Sequence, residues 1–201
     1  MDIRAEREAD HEAVENLHRR AFGDGHGDVV AGLVHALRHD DPDALSLVAV
    51  DDEAVDDETG DDETGDGGAA GDERVAGHIL FSRSLLDAPR RLVPVQVLSP
   101  LAVAPGRQRR GIGAALIRHG LRLLDDRGVP VVFLEGDPRY YSRAGFVPGA
   151  ERGFRKPSLR IPDAGFQAIT LAAHEPWMTG TLVYSATFWD HDCVGLRDAQ
   201  T

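Results

Sequence analysis

The stretch from Val95 to Glu135 constrains this 201-residue chain more than any other part of it. An apolar run, a short basic loop, a helical pattern and a second apolar run follow one another there without a break. Val95 to Val103 reads as a strand interrupted by Ser99 and Pro100. Proline has no N–H to give to a ladder, so a bulge or a local parting of strands is expected at that point. Pro105 to Arg110 is polar and basic, and Ile112, Leu116, His119 and Leu123 then recur at helical spacing up to Gly128. Val129 to Glu135 is a short apolar run of the buried-strand type. A strand whose exit loop becomes a helix, followed by another strand, defines an α/β unit.

The flanking segments extend that alternation. Asp10 is placed to cap a helix carrying Val14, Leu17 and Ala21, and Val30, Leu33, Val34 and Leu37 mark a second helix from about Asp28 to Arg38. Leu45 to Val50 and Val75 to Ser82 read as neighbouring strands. Between them, Asp51 through Glu73 holds 12 of the 34 acidic residues and no basic ones, and repeats Asp-Asp-Glu-Thr-Gly from Asp56 and again from Asp61. Such a stretch buries too little apolar surface to offset its ordering entropy. An acidic disordered insertion at about 51–73, within a single domain spanning 1–201, is the expectation.

That segment accounts for the whole formal charge of −12, leaving 22 acidic against 22 basic residues elsewhere. A balanced body speaks against a nucleic-acid partner. No apolar run approaches the roughly 20 residues of a membrane span, and the start Met1-Asp2-Ile3-Arg4 is unlike a signal peptide. No membrane contact and a cytoplasmic location are expected. Cys193 is the single cysteine, which excludes an internal disulfide and a cysteine-based zinc site, and none of the nine histidines forms a metal-binding cluster with Asp or Glu.

The chemistry concentrates in Gln108-Arg109-Arg110-Gly111-Ile112-Gly113-Ala114. Glycines let a backbone approach phosphate closely, and the free N–H groups and dipole of a helix's first turn favour an anion. Arg109 and Arg110 can add charge-assisted hydrogen bonds. No Lys-Ser or Lys-Thr pair follows the glycines, so this is not a Walker loop, and Leu116 stands where a dinucleotide fingerprint needs its third glycine. By themselves the glycines also fit a simple tight turn.

From Val103 to Leu116 the sequence VAPGRQRRGIGAAL resembles the acetyl-CoA-binding motif of the GCN5-related N-acetyltransferases (GNAT), whose core is Gln/Arg-x-x-Gly-x-Gly/Ala after a strand; here the core is Gln108, Gly111 and Gly113. A second family motif, an aromatic residue four positions before Gly-Phe, is present as Tyr141 with Gly145 and Phe146. The stretches at Gly77–Ser82, Leu98–Val103, Gly136–Phe146 and Gly180–Tyr184 resemble a subgroup of acetyltransferases in this family, so the likeness covers nearly everything but the acidic insertion.

The resemblance implies a mixed central sheet of about six to seven strands flanked by helices. It implies acetyl-CoA as co-substrate and a primary amine, on a small molecule or a protein, as acceptor. Backbone groups of Leu101, Ala102 and Val103 would face the pantetheine arm, and those of Gln108, Arg109, Arg110, Gly111, Ile112, Gly113 and Ala114 would hold the pyrophosphate. Tyr141 would be the general acid, with packing against the cofactor as the other reading, and Tyr140 is expected to point elsewhere. Glu135 is the first candidate for general base; a water chain and His78 are alternatives. A non-catalytic acyl-CoA-binding module is the competing class. Trp177, Tyr184 and Phe188 fit a homodimer contact, the acceptor pocket or plain core packing.

Overall fold

The computed structural model describes residues 1–23, 25–51 and 75–196. The expected acidic insertion lies outside the described residues apart from Asp51. Among the described residues nine strands form one sheet: β1 (Asp2–Ala5), β2 (Leu45–Val50), β3 (Val75–Asp87), β4 (Leu92–Val103), β5 (Val131–Glu135), β6 (Val147–Pro148), β7 (Phe154–Arg155), β8 (Phe166–Thr170) and β9 (Gly180–Val183). Two of these are two-residue strands, which leaves seven longer ones beside the six to seven expected. The order is β1-β2-β3-β4-β5-β8-β6, with β9 lying along the far half of β3 and pairing with β7. β4 and β5 run parallel, as do β7 and β9; the other pairs are antiparallel.

Helices α1 (His11–Phe22) and α2 (His26–Asp40) cover one face of the sheet, burying Val14, Leu17, Leu33, Val34 and Leu37 against Val95, Val97 and Phe133. Helix α3 (Ile112–Asp126) covers the other, with Ile112, Leu116, Ile117 and Leu124 against Ile79, Phe81, Leu98 and Leu134. β5 therefore reads as a continuous apolar run from Val131 to Leu134, because both of its faces are covered. Gly120 lets α3 come this close: a Cβ there would lie 2.3 Å from the Phe81 ring. Asp10 heads α1 as expected but makes no side-chain cap. Its carboxylate is occupied by the Arg4 guanidinium at 2.6 and 2.9 Å and by the Arg7 N–H at 2.7 Å.

Two strands part where the proline interrupts β4. Ile79 faces Leu101 and Phe81 faces Leu98, so Ser99 and Pro100, joined by a cis peptide, stand opposite Leu80 alone in a bulge. β4 pairs with β5 only at Gln96–Val132 and Val97–Phe133. Beyond that point β4 stays with β3 as far as Val103, and β5 stays with β8 as far as Glu135. Each strand follows its outer neighbour, and a gap opens between them.

Beneath α1 and α2 a polar chain crosses the core. Ser46 donates to Glu6 at 2.5 Å and lies 2.8 Å from Nε2 of His78, whose Nδ1 lies 2.8 Å from Nε2 of His18. One proton order satisfies the chain: His18 Nε2–H to His78 Nδ1, His78 Nε2–H to Ser46, Ser46 O–H to the Glu6 carboxylate. Nδ1 of His18 is then a bare acceptor, and it has no partner among the described residues. Arg38 pairs with Glu6 and, at 3.2 Å, with Glu15. Burial, which works against a charge on Glu6, is outweighed by its contacts with His78, Arg38 and Ser46, and its carboxyl is held down to about 2. Burial lowers both histidines from their ordinary 6.5.

The sign of the pH dependence follows. Below pH 6.5 the unfolded chain binds protons that the folded histidines refuse, so stability falls as pH drops from 6.5 towards their lowered values. Glu6 adds a second loss from pH 4.5 down to about 2. Urea unfolding between pH 8 and pH 5 should show the first decline, and a His78→Gln variant should show a shallower slope over that interval.

Candidate active site

The gap between β4 and β5 leads, on the α3 face, into a groove of about 910 Å³. Its floor is the β4 edge at Leu101 and Val103, one wall is the first three turns of α3, and the other is a short helix α4 (Pro138–Tyr141) with the 3-10 turn that follows it. Side-chain alternation puts Leu101 and Val103 in the groove and turns Ala102 into the core of the opposite face.

The turn into α3 is built by backbone conformation. Arg109 and Gly111 both have positive φ, 60° and 84°, and Gly111 is the left-handed residue that precedes the helix. Gln108 ties the turn back to its strand by donating from Nε2 to the Val103 carbonyl at 3.2 Å. The helical ladder begins with Ala115 N–H to Gly111 C=O. The N–H groups of Ile112, Gly113 and Ala114 thus lack partners within the helix, and no side chain caps them. This is an anion-binding arrangement. Gln108, Arg109, Gly111, Ile112, Gly113 and Ala114 all line the groove, whereas Arg110 is exposed outside it.

Tyr141 enters from the opposite wall. Its ring packs on Gly136, where a Cβ would lie 2.4 Å from a ring carbon, and meets Phe146 edge-on at 6.0 Å. No protein group among the described residues bonds its hydroxyl. Burial first, then the neighbouring Tyr140, pushes its pKa well above the usual 10. Tyr140 does not point elsewhere. α4 is only one turn long, and both tyrosines line the groove with their rings perpendicular at 4.9 Å.

Glu135 lies on the other side of the gap. It ends β5 facing the α1/α2 side, in alternation with Leu134, and accepts hydrogen bonds from the Tyr184 hydroxyl at 2.8 Å and the Gly195 N–H at 3.0 Å. Burial raises its pKa despite those two bonds. His78 is fully buried and bonded within the polar chain described above. Tyr184 and Phe188 are core residues, while Trp177 is partly buried beneath Arg90 and Arg91, whose guanidinium carbons lie 5.1 and 5.3 Å from its ring centre.

Sequence reasoning missed Tyr140, Ile117, Arg118, Leu121, Arg143 and Ala144 as groove residues. Gly113, Ile117 and Leu121 recur every four residues, so extending the helical face from Gly113 would have found the α3 members.

Residues 2–149 match the family model described as an acetyltransferase (GNAT) domain. The chain belongs to the GNAT acetyltransferase family, whose members are acyltransferases. It is 39% identical over 111 residues to the uncharacterized N-acetyltransferase YjhQ of Escherichia coli (strain K12), a match covering 53% of this chain and 61% of that one. The chain thus spans less than two thirds of that relative's length. Among solved structures it resembles the GNAT family N-acetyltransferase YhbS from Escherichia coli in complex with CoA, with a TM-score of 0.74, 29% identity and coverage of 93% and 91% of the two chains. A GNAT family acetyltransferase from Brucella melitensis in complex with acetyl-CoA gives a TM-score of 0.65, 30% identity and coverage of 93% and 97%.

The packing of Tyr141 on Gly136 is directly testable. Gly136→Ala should displace the ring and cost about 1–3 kcal/mol in urea unfolding, with a changed near-ultraviolet tyrosine signal.

Proposed function

We propose that the protein transfers an acetyl group from acetyl-CoA to a primary amine. The observation that carries this reading is the freed β4 edge beyond Val97, which runs directly into the unpaired N–H groups of α3. A groove of about 910 Å³ with an anion-binding turn at one end and an open strand edge along its floor fits a long thioester with a pyrophosphate. The relatives solved with CoA and acetyl-CoA support the same assignment. When bound, acetyl-CoA supplies an acetyl thioester open to attack by an amine.

The residues divide the work around that bond. The backbone N–H groups from Gly111 to Ala114, with Arg109, hold the pyrophosphate, and the β4 edge from Leu101 to Val103 orients the arm. Gln108 serves by fixing the turn, since its side chain is engaged with Val103. Arg110, exposed at the turn, adds positive charge there.

Tyr141 keeps its proton across the neutral range because burial raises its pKa, and in this reading it gives that proton from its hydroxyl to the departing sulfur. Glu135, on the opposite face of the gap, takes the proton of the incoming ammonium. Its raised pKa makes it a stronger base than an ordinary carboxylate, and its two hydrogen bonds leave further lone pairs for the amine. Acid and base thus approach the reacting carbon from opposite sides of the sheet.

Release of free thiol from acetyl-CoA across a panel of primary amines tests this. Tyr141→Phe should lower kcat about a hundredfold or more while leaving KM for acetyl-CoA within a few-fold. Glu135→Gln should remove the limb of the pH profile in which rate rises with pH. Tight calorimetric binding of acetyl-CoA with no thiol release for any amine would instead identify a non-catalytic binding module.

A further inference from the structure

Tyr140 reaches across the groove. It stands on α4, yet its phenol oxygen lies 2.2 Å from where a Cβ of Gly113 would be, at the head of α3. Both residues line the cavity, so this side chain spans it from one wall to the other at the level of the unpaired N–H groups. Glycine at 113 is what leaves room for the hydroxyl, because any side chain there would collide with it. Resting on the acetyl-CoA reading above, we propose that Tyr140 is a ligand of the cofactor's pyrophosphate, donating from the wall opposite the α3 turn.

Several observations fit that role. A phenol that burial keeps above its usual pKa is a donor throughout the neutral range, which an anion requires. Its oxygen stands beside Gly113 in the first turn of α3, so an anion there would be gripped from both walls. Tyr140 is 40% exposed, so its hydroxyl can adjust to a ligand without disturbing the core. Tyr140 also meets Tyr141 edge-on, so fixing one ring against the phosphates steadies the other beside the thioester. Tyr140 is therefore a binding residue for the phosphates and a positioning residue for Tyr141.

The test compares wild type with Tyr140→Phe, which keeps the ring and removes the donor. Calorimetry with acetyl-CoA should show affinity reduced about tenfold, the weight of one hydrogen bond to a charged group, with an unchanged melting temperature. The same loss should appear with dephospho-CoA, which lacks the 3′-phosphate but keeps the pyrophosphate. With acetyl-pantetheine, which has neither, kcat/KM should match wild type within twofold. Equal acetyl-CoA affinity in the two proteins would overturn the proposal. So would a loss that vanishes with dephospho-CoA, or one that is equally large with acetyl-pantetheine. Absence of wild-type binding at millimolar acetyl-CoA would overturn the cofactor reading itself, and this proposal with it.

Discussion

Everything that distinguishes this sheet depends on two parallel strands that pair over two residues and then separate. Hydrogen bonding holds β4 to β3 up to Val103 and β5 to β8 up to Glu135, so neither strand can follow the other. The bulge at Ser99 and Pro100 releases β4 at the point where a ladder to β5 would otherwise continue. An unpaired strand edge inside a protein is costly unless something satisfies it. In this fold that edge is left open along the floor of a groove, where an extended ligand with amide groups can occupy it.

The gap also explains why the two proton-transfer candidates do not touch. Tyr141 packs on Gly136 from the α3 side, and Glu135 leaves the preceding residue towards α1 and α2. The peptide unit joining Glu135 to Gly136 therefore separates the proposed base from the proposed acid, one on each face. A bond lying in the gap is reachable from both. The polar chain from His18 to Glu6, with Arg38, holds α1, α2, β2 and β3 together on the face to which Glu135 turns, and its internal proton order leaves no neutral alternative that keeps every bond.

How much of this was legible in the sequence depended on whether the determinant was local. Pro100 announced the parting of strands because a missing N–H acts wherever it stands. Gly111 and Gly113 announced the turn because left-handed φ and close approach are single-residue requirements. Tyr140 escapes the sequence because adjacent residues on a regular helix diverge, whereas a one-turn helix that passes into a 3-10 turn leaves both tyrosines in the groove. The capping role expected of Asp10 failed for a different reason: Arg4, six residues away, competes for the carboxylate.

The least legible part was the face proposed to receive the amine, and the cause is physical. Glu135 is positioned by Tyr184, 49 residues on, and by the Gly195 N–H, 60 residues on. The last described helix, α5 (Ala186–Asp190), adds Thr187 Oγ1 to Asp40 at 2.7 Å and so ties the C-terminal segment to the end of α2. These contacts join segments with no pattern between them, so neither periodicity nor spacing can reveal them. The turn proposed to hold the phosphates is fixed by a dozen consecutive residues, and the binding assigned to it rests on backbone groups, which limits how far it can vary. The opposite face is assembled from side chains on separate segments, each replaceable without disturbing the groove, so a fold of this kind can keep one donor and change its acceptor.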